Sequence, residues 1–189
     1  NTLVKIQTVT VGSGGASSID FTSIPQTYTD LCIVTSVRFD QGSDNGLYIQ
    51  FNGDTASNYA RRYLYGDGSS ASSGSATSQA RAMGGIGGRS TATASTFGNS
   101  YCYVPNYTSS NYKSISVDGV NENNATSADA MFWASIWNST SAITSIKLFP
   151  SSGSIVQYST ATLYGVTATP STTKASGGII YQDATYMYH

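Results

Sequence analysis

Charge is what this sequence has least of. Only 10% of its residues are Asp, Glu, Lys or Arg, against roughly 25% in an ordinary soluble protein, and the two signs nearly cancel to a formal charge of -1. Neutralising a phosphate backbone takes clustered Lys and Arg. The single adjacent basic pair, Arg61-Arg62, does not supply that, so no nucleic-acid partner is expected. Histidine is scarcer still: His189 is the only one. A Ser-His-Asp or Cys-His constellation, or a zinc site built from His and Cys, is not expected from one His and two separated Cys residues. Those cysteines, Cys32 and Cys102, are too few for the dense disulfide framework of a small secreted domain. Each lies in an apolar strand-like run, where a buried free thiol and a single cross-strand or inter-sheet bridge are both open. Long apolar runs are missing too. No stretch approaches the roughly twenty residues of a membrane span, and Asn1 to Val11 alternates instead of forming a signal peptide's apolar block.

What fills the space is Ser, Thr, Gly, Asn and aromatics. With 39% apolar residues and almost no net charge the chain folds rather than staying disordered, and 189 residues suit one domain. Runs rich in β-branched and aromatic residues recur at Leu3–Val11, Ser17–Phe21, Leu31–Phe39, Gly46–Phe51, Tyr101–Val104, Tyr112–Val120, Met131–Trp137, Ile143–Phe149 and Ala161–Thr167. Turn formers separate them, as in Gly12-Ser13-Gly14-Gly15, Asp44-Asn45-Gly46, Asn52-Gly53-Asp54 and Ser151-Ser152-Gly153. Apolar positions repeat every two residues, as Ile115 and Val117 do. This predicts an all-β fold, an antiparallel β-sandwich, over residues 1–168, with 169–189 as a linker and short C-terminal extension. Ser57–Tyr65 reads as strand, with a helical turn capped by Asn58 as the alternative. Gly66–Thr93 carries almost no bulky residues and reads as a long loop, mobile or held by a partner, with room for one weak strand around Gln79–Met83.

Both faces of Met131–Trp137 are apolar: Phe132, Ala134 and Ile136 on one, Met131, Trp133, Ser135 and Trp137 on the other. A two-layer sandwich buries one face of each strand. The second, taken as the Trp133 side, needs a cover, which is the Gly/Ser-rich segment of the same chain, a neighbouring subunit, or a sugar. Met131, Trp133 and Trp137, with Tyr63 and Tyr65, are therefore the candidate subunit-interface or glycan-contact residues.

Chemistry other than contact has little to stand on. Paired carboxylates are the remaining catalytic option, yet most acidic residues stand beside Gly or Asn, where Asp forms turns. Asp40 to Gly46 superficially matches a calcium loop, but its twelfth position is Phe51 rather than an acidic ligand. Gly84-Gly85-Ile86-Gly87-Gly88 follows no parallel strand and opens no helix, so it is not a phosphate cradle. Asn106-Tyr107-Thr108, Asn124-Ala125-Thr126 and Asn138-Ser139-Thr140 match the glycosylation sequon, as chance allows in so Asn-, Ser- and Thr-rich a chain. No catalytic residue, cofactor or metal is expected.

Several blocks carry a resemblance. Phe21-Thr22-Ser23-Ile24-Pro25-Gln26-Thr27-Tyr28-Thr29-Asp30-Leu31, Phe51-Asn52-Gly53-Asp54 with Asn58-Tyr59, Tyr65-Gly66-Asp67-Gly68, and Val104-Pro105-Asn106-Tyr107 with Tyr112-Lys113-Ser114 resemble a family of tailed-bacteriophage structural proteins, frequent in aquatic phages including those of cyanobacteria. Glu122-Asn123-Asn124-Ala125 and Ala161-Thr162-Leu163-Tyr164-Gly165-Val166 resemble it too. The resemblance implies a jelly-roll-like virion protein, a capsid decoration, head fibre or tail fibre. Its expected partners are other virion proteins, with homotrimers common and a host-surface glycan as a further contact. It carries no catalytic residues. A carbohydrate-binding module of a secreted enzyme or adhesin is the competing reading, with Tyr63, Tyr65, Trp133 or Trp137 stacking on sugar rings.

Overall fold

The computed structural model describes residues 2–124 and 128–167. The expected linker and extension at 169–189 lie outside these, as does part of the Asn124 sequon. Among the described residues there is no helix. The described residues form twelve strands: β1 (Thr2–Thr10), β2 (Ile19–Phe21), β3 (Asp30–Val37), β4 (Gly46–Phe51), β5 (Tyr59–Gly66), β6 (Ala71–Gln79), β7 (Ala82–Ile86), β8 (Gly98–Val104), β9 (Lys113–Asn121), β10 (Asp129–Trp137), β11 (Ile146–Pro150) and β12 (Thr160–Thr167). They make two antiparallel sheets packed as a sandwich. The larger runs β1-β12-β3-β8-β9-β10-β5-β6 and the smaller β2-β11-β4-β7.

Four hydrogen-bonded pairs are nested: β1 with β12, β2 with β11, β3 with β8 and β4 with β7. Successive pairs alternate between the sheets. Two further hairpin-like additions, β5–β6 and β9–β10, widen the larger sheet on one side.

Alternation along each strand decides the layers. Leu31, Ile33 and Val37 on β3, Cys102 and Val104 on β8, and Ile115 and Val117 on β9 point inward and meet Leu47, Ile49 and Phe51 of β4 and Ile146 and Leu148 of β11. Each such side chain contributes roughly 1.5–3 kcal/mol on burial. Arg38, beyond β3, holds the long β7–β8 connection, donating to the carbonyls of Ser90, Ala92, Thr93 and Thr96 at 2.8–3.3 Å.

The strand expected within Ser57–Tyr65 is there, as β5, so Arg61 and Arg62 point to opposite faces. The expectation for the segment after it changes. The supposed loop Gly66–Thr93 contains β6 and β7, because small residues pair through their backbones without needing bulk. Its turn falls at Ala80-Arg81, inside the stretch expected to be one weak strand. The cysteines are free. Cys32 stands opposite Tyr103 and Cys102 opposite Ile33, so neighbouring register places the two thiols on opposite faces of the sheet, where no bridge can close.

Candidate functional site

Strand β10 sets the site. Cross-strand partners share a face, so the register Met131↔Tyr65, Trp133↔Tyr63 and Trp137↔Tyr59 puts all these rings on one side of the large sheet. That side is the inner one. Trp133 and Trp137 retain only 4% and 2% of their surface. Trp137 lies 5.4 Å from the Phe51 ring and is stacked on Tyr59 at 6.3 Å. The cover expected over the Trp133 side is thus supplied by the chain itself, through the smaller sheet, and part of it, β7, comes from the Gly/Ser-rich segment. Another molecule is not what keeps Trp133 dry.

Trp137 is fixed at its polar end as well. Its Nε1 donates to Asp54 Oδ2 at 2.7 Å, and Asp54 also accepts from Asn58 Nδ2 and the Ala56 amide, both at 2.9 Å. Burial would raise this carboxyl, but those donors outweigh it and hold it below the usual carboxylate range. Asn52 and Gly53 take positive φ at 52° and 68° in the turn that delivers Asp54. The Phe51-Asn52-Gly53-Asp54 and Asn58-Tyr59 blocks are therefore a structural corner.

The other candidates converge on an open cleft. Tyr63, Tyr65, Met131 and Trp133 line it with Asp44, Asn45, Gly46, Arg61, Ser72 and Met83, enclosing about 290 Å³. Trp137 is not among them. The cleft exists because the large sheet is wider than its partner: β6 is mostly exposed and the smaller sheet ends at β7. Its back wall is a buried polar cluster. Asp129 is 6% exposed and accepts from Tyr65 Oη at 2.9 Å, Arg89 Nη2 at 3.2 Å and the Asn45 side-chain amide. That acceptor is the first cause raising the Tyr65 hydroxyl above its ordinary value.

Sequence reasoning missed Asp44, Asn45, Arg61 and Asp129. Asp44 and Asn45 read as turn formers, and Asp44 does bind the Gly46 amide at 2.8 Å and the Tyr48 hydroxyl at 3.1 Å. Asn45 is nevertheless 5% exposed, and no local pattern signals a turn residue that is buried by a distant strand.

The outer face of β10 is the open one. Phe132 keeps 48% of its surface, Leu64 on β5 61% and Val120 on β9 43%. Phe132 and Leu64 stand opposite each other and form a ridge between two shallow hollows, one reaching Asp118 and Val120, the other Arg62, Ser73 and Ser75.

No family model, curated protein or solved structure matches this chain.

Proposed function

We propose that this is a non-enzymatic structural module of a tailed-phage virion, a capsid decoration, head fibre or tail fibre with a jelly-roll fold, that assembles through the outer face of its large sheet. The nested pairing of β1·β12, β2·β11, β3·β8 and β4·β7, alternating between two four-strand layers, supports the jelly-roll reading. The sequence blocks that resemble virion proteins support the setting. The observation that carries the assembly reading is the Leu64–Phe132–Val120 strip, a contiguous apolar surface on three neighbouring strands.

The occupant is a neighbouring copy of the chain. The strip is rimmed by one charge of each sign, Asp118 on β9 and Arg62 on β5, so neighbouring copies arranged around a symmetry axis set unlike charges together. Few other charges have to be desolvated there. From the resemblance, three copies are expected.

Light scattering on the full chain tests this. The wild type should show a multiple of the chain mass, and Phe132→Asp with Leu64→Asp should give a folded monomer. A wild type that stays monomeric at high concentration removes the reading.

A carbohydrate-binding module with a row of stacking aromatics is favoured less, because Trp133 and Trp137 are buried. Of the five candidate residues only Tyr63, at 36% exposure, offers an open ring.

A further inference from the structure

That one ring belongs to an arrangement independent of the outer strip. Tyr63 stands opposite Gly74 on β6, and a Cβ at Gly74 would overlap the Tyr63 phenol. The ring therefore occupies the space a side chain at Gly74 would fill, and it also lines the cleft. Packing of this kind pins a large ring without burying it.

Beside the ring, Arg61 presents an unmet need. Its Nη1 is buried and has no hydrogen-bond acceptor, and opposite it on β10 the buried Ser135 hydroxyl is also unpartnered. The Nη1 nitrogen is shut away from solvent, so a ligand oxygen meets Arg61 through the part of the side chain that lines the cleft. The guanidinium is 5.9 Å from the centre of the Tyr48 ring, which steadies the cation but accepts no proper hydrogen bond. Across the cleft Asp44 supplies a carboxylate acceptor. Asp129 and Arg89, behind it, are engaged with each other at 3.2 Å.

A flat ring, a donor and a carboxylate around about 290 Å³ define the ligand's chemistry. The aromatic face takes the C–H side of a saturated ring. Arg61 wants an oxygen acceptor and Asp44 an O–H donor. An anion would meet Asp44 at close range, and a purely apolar ligand would leave Arg61 unsatisfied. We propose that the cleft binds one neutral pyranose ring, stacked on Tyr63 with its hydroxyls shared between Arg61 and Asp44. Tyr65, tied to Asp129, would act as a fixed wall.

The site does not rest on the assembly reading, and the experiment separates the two. The full chain is titrated, by tryptophan fluorescence and amide chemical shifts, with the methyl glycosides of glucose, galactose, mannose and N-acetylglucosamine, and with glucuronate as the charged counterpart. At least one neutral glycoside should saturate in the millimolar range, with shifts at Tyr63 and Ser72. Tyr63→Ala and Arg61→Met should each weaken it about tenfold. Ser72→Tyr, on the exposed edge strand, should block the cleft while leaving the circular dichroism unchanged, which covers the case that an Arg61 variant folds poorly. Phe132→Asp should bind as the wild type does, whatever its oligomeric state. The proposal is overturned if no neutral glycoside saturates, if glucuronate alone binds, or if binding survives both Tyr63→Ala and Ser72→Tyr.

Discussion

Tyr65 on β5 reaches diagonally across to Asp129 on β10 and donates a 2.9 Å hydrogen bond to a carboxylate that also takes Arg89 at 3.2 Å. This pair fixes both the back of the cleft and the end of the large sheet. Tyr65→Phe removes one donor and should cost about 1 kcal/mol. Asp129→Ala should cost about 3 kcal/mol, at the low end for a broken buried pair, because a quarter of the Arg89 side chain remains in water. Urea unfolding of the two variants measures both; equal losses would mean that neither Arg89 nor Asn45 adds to what Tyr65 contributes.

The two faces of β10 predict opposite sensitivities. Trp133→Ala should lose about 3–5 kcal/mol, as for other large core deletions. Phe132→Ala, compared with wild type at dilution where copies are separate, should lose about 1 kcal/mol or less. Denaturant midpoints in the reverse order would mean that the faces are assigned the wrong way round.

Acid should act through Asp54. Its folded carboxyl lies below the usual range, so its contribution is present above an unfolded value of about 4 and is lost as pH falls through the lower folded value. Unfolding midpoints measured from about pH 5 downward should fall in the wild type and fall less in Asp54→Asn. Trp137 fluorescence should follow the same acid transition, since its Nε1 is bonded to that carboxylate.

Neither thiol should react in the native state. Burial pushes the Cys32 and Cys102 thiols up, away from the reactive thiolate. Colourimetric thiol titration should find nothing in buffer and two equivalents in denaturant. A native reading of one would mean that Cys32, on the outer face of the sheet beside Tyr101, is reached by solvent.

Strands with bulky alternating residues were legible in the sequence because their burial pattern is local: β3, β4, β9, β10 and β12 lie where Val, Ile, Leu and aromatics recur at two. Strand β6, Ala-Ser-Ser-Gly-Ser-Ala-Thr-Ser-Gln, was not, since it buries almost nothing and is held by backbone pairing to β5. The faces of β10 were legible as two apolar sets, but which set points inward depends on where the second sheet lies. Of the site, the rings were found from their type. Arg61, Asn45 and Asp129 were not, because Asn45 and Asp129 meet across 84 residues and Arg61 faces Ser135 on a distant strand.

The nested pairing has a kinetic consequence. Thr2 on the first strand finds its partner at Thr167 on the last, so the outermost ladder cannot close until nearly the whole described chain has left the ribosome. Hairpins β5–β6 and β9–β10 join neighbours in sequence and can form early. The ribbon that encloses them must wait, as non-local β pairing does. During synthesis the unpaired edge of β12's future neighbour β3 is exposed, and that interval is when this protein is most open to misassembly.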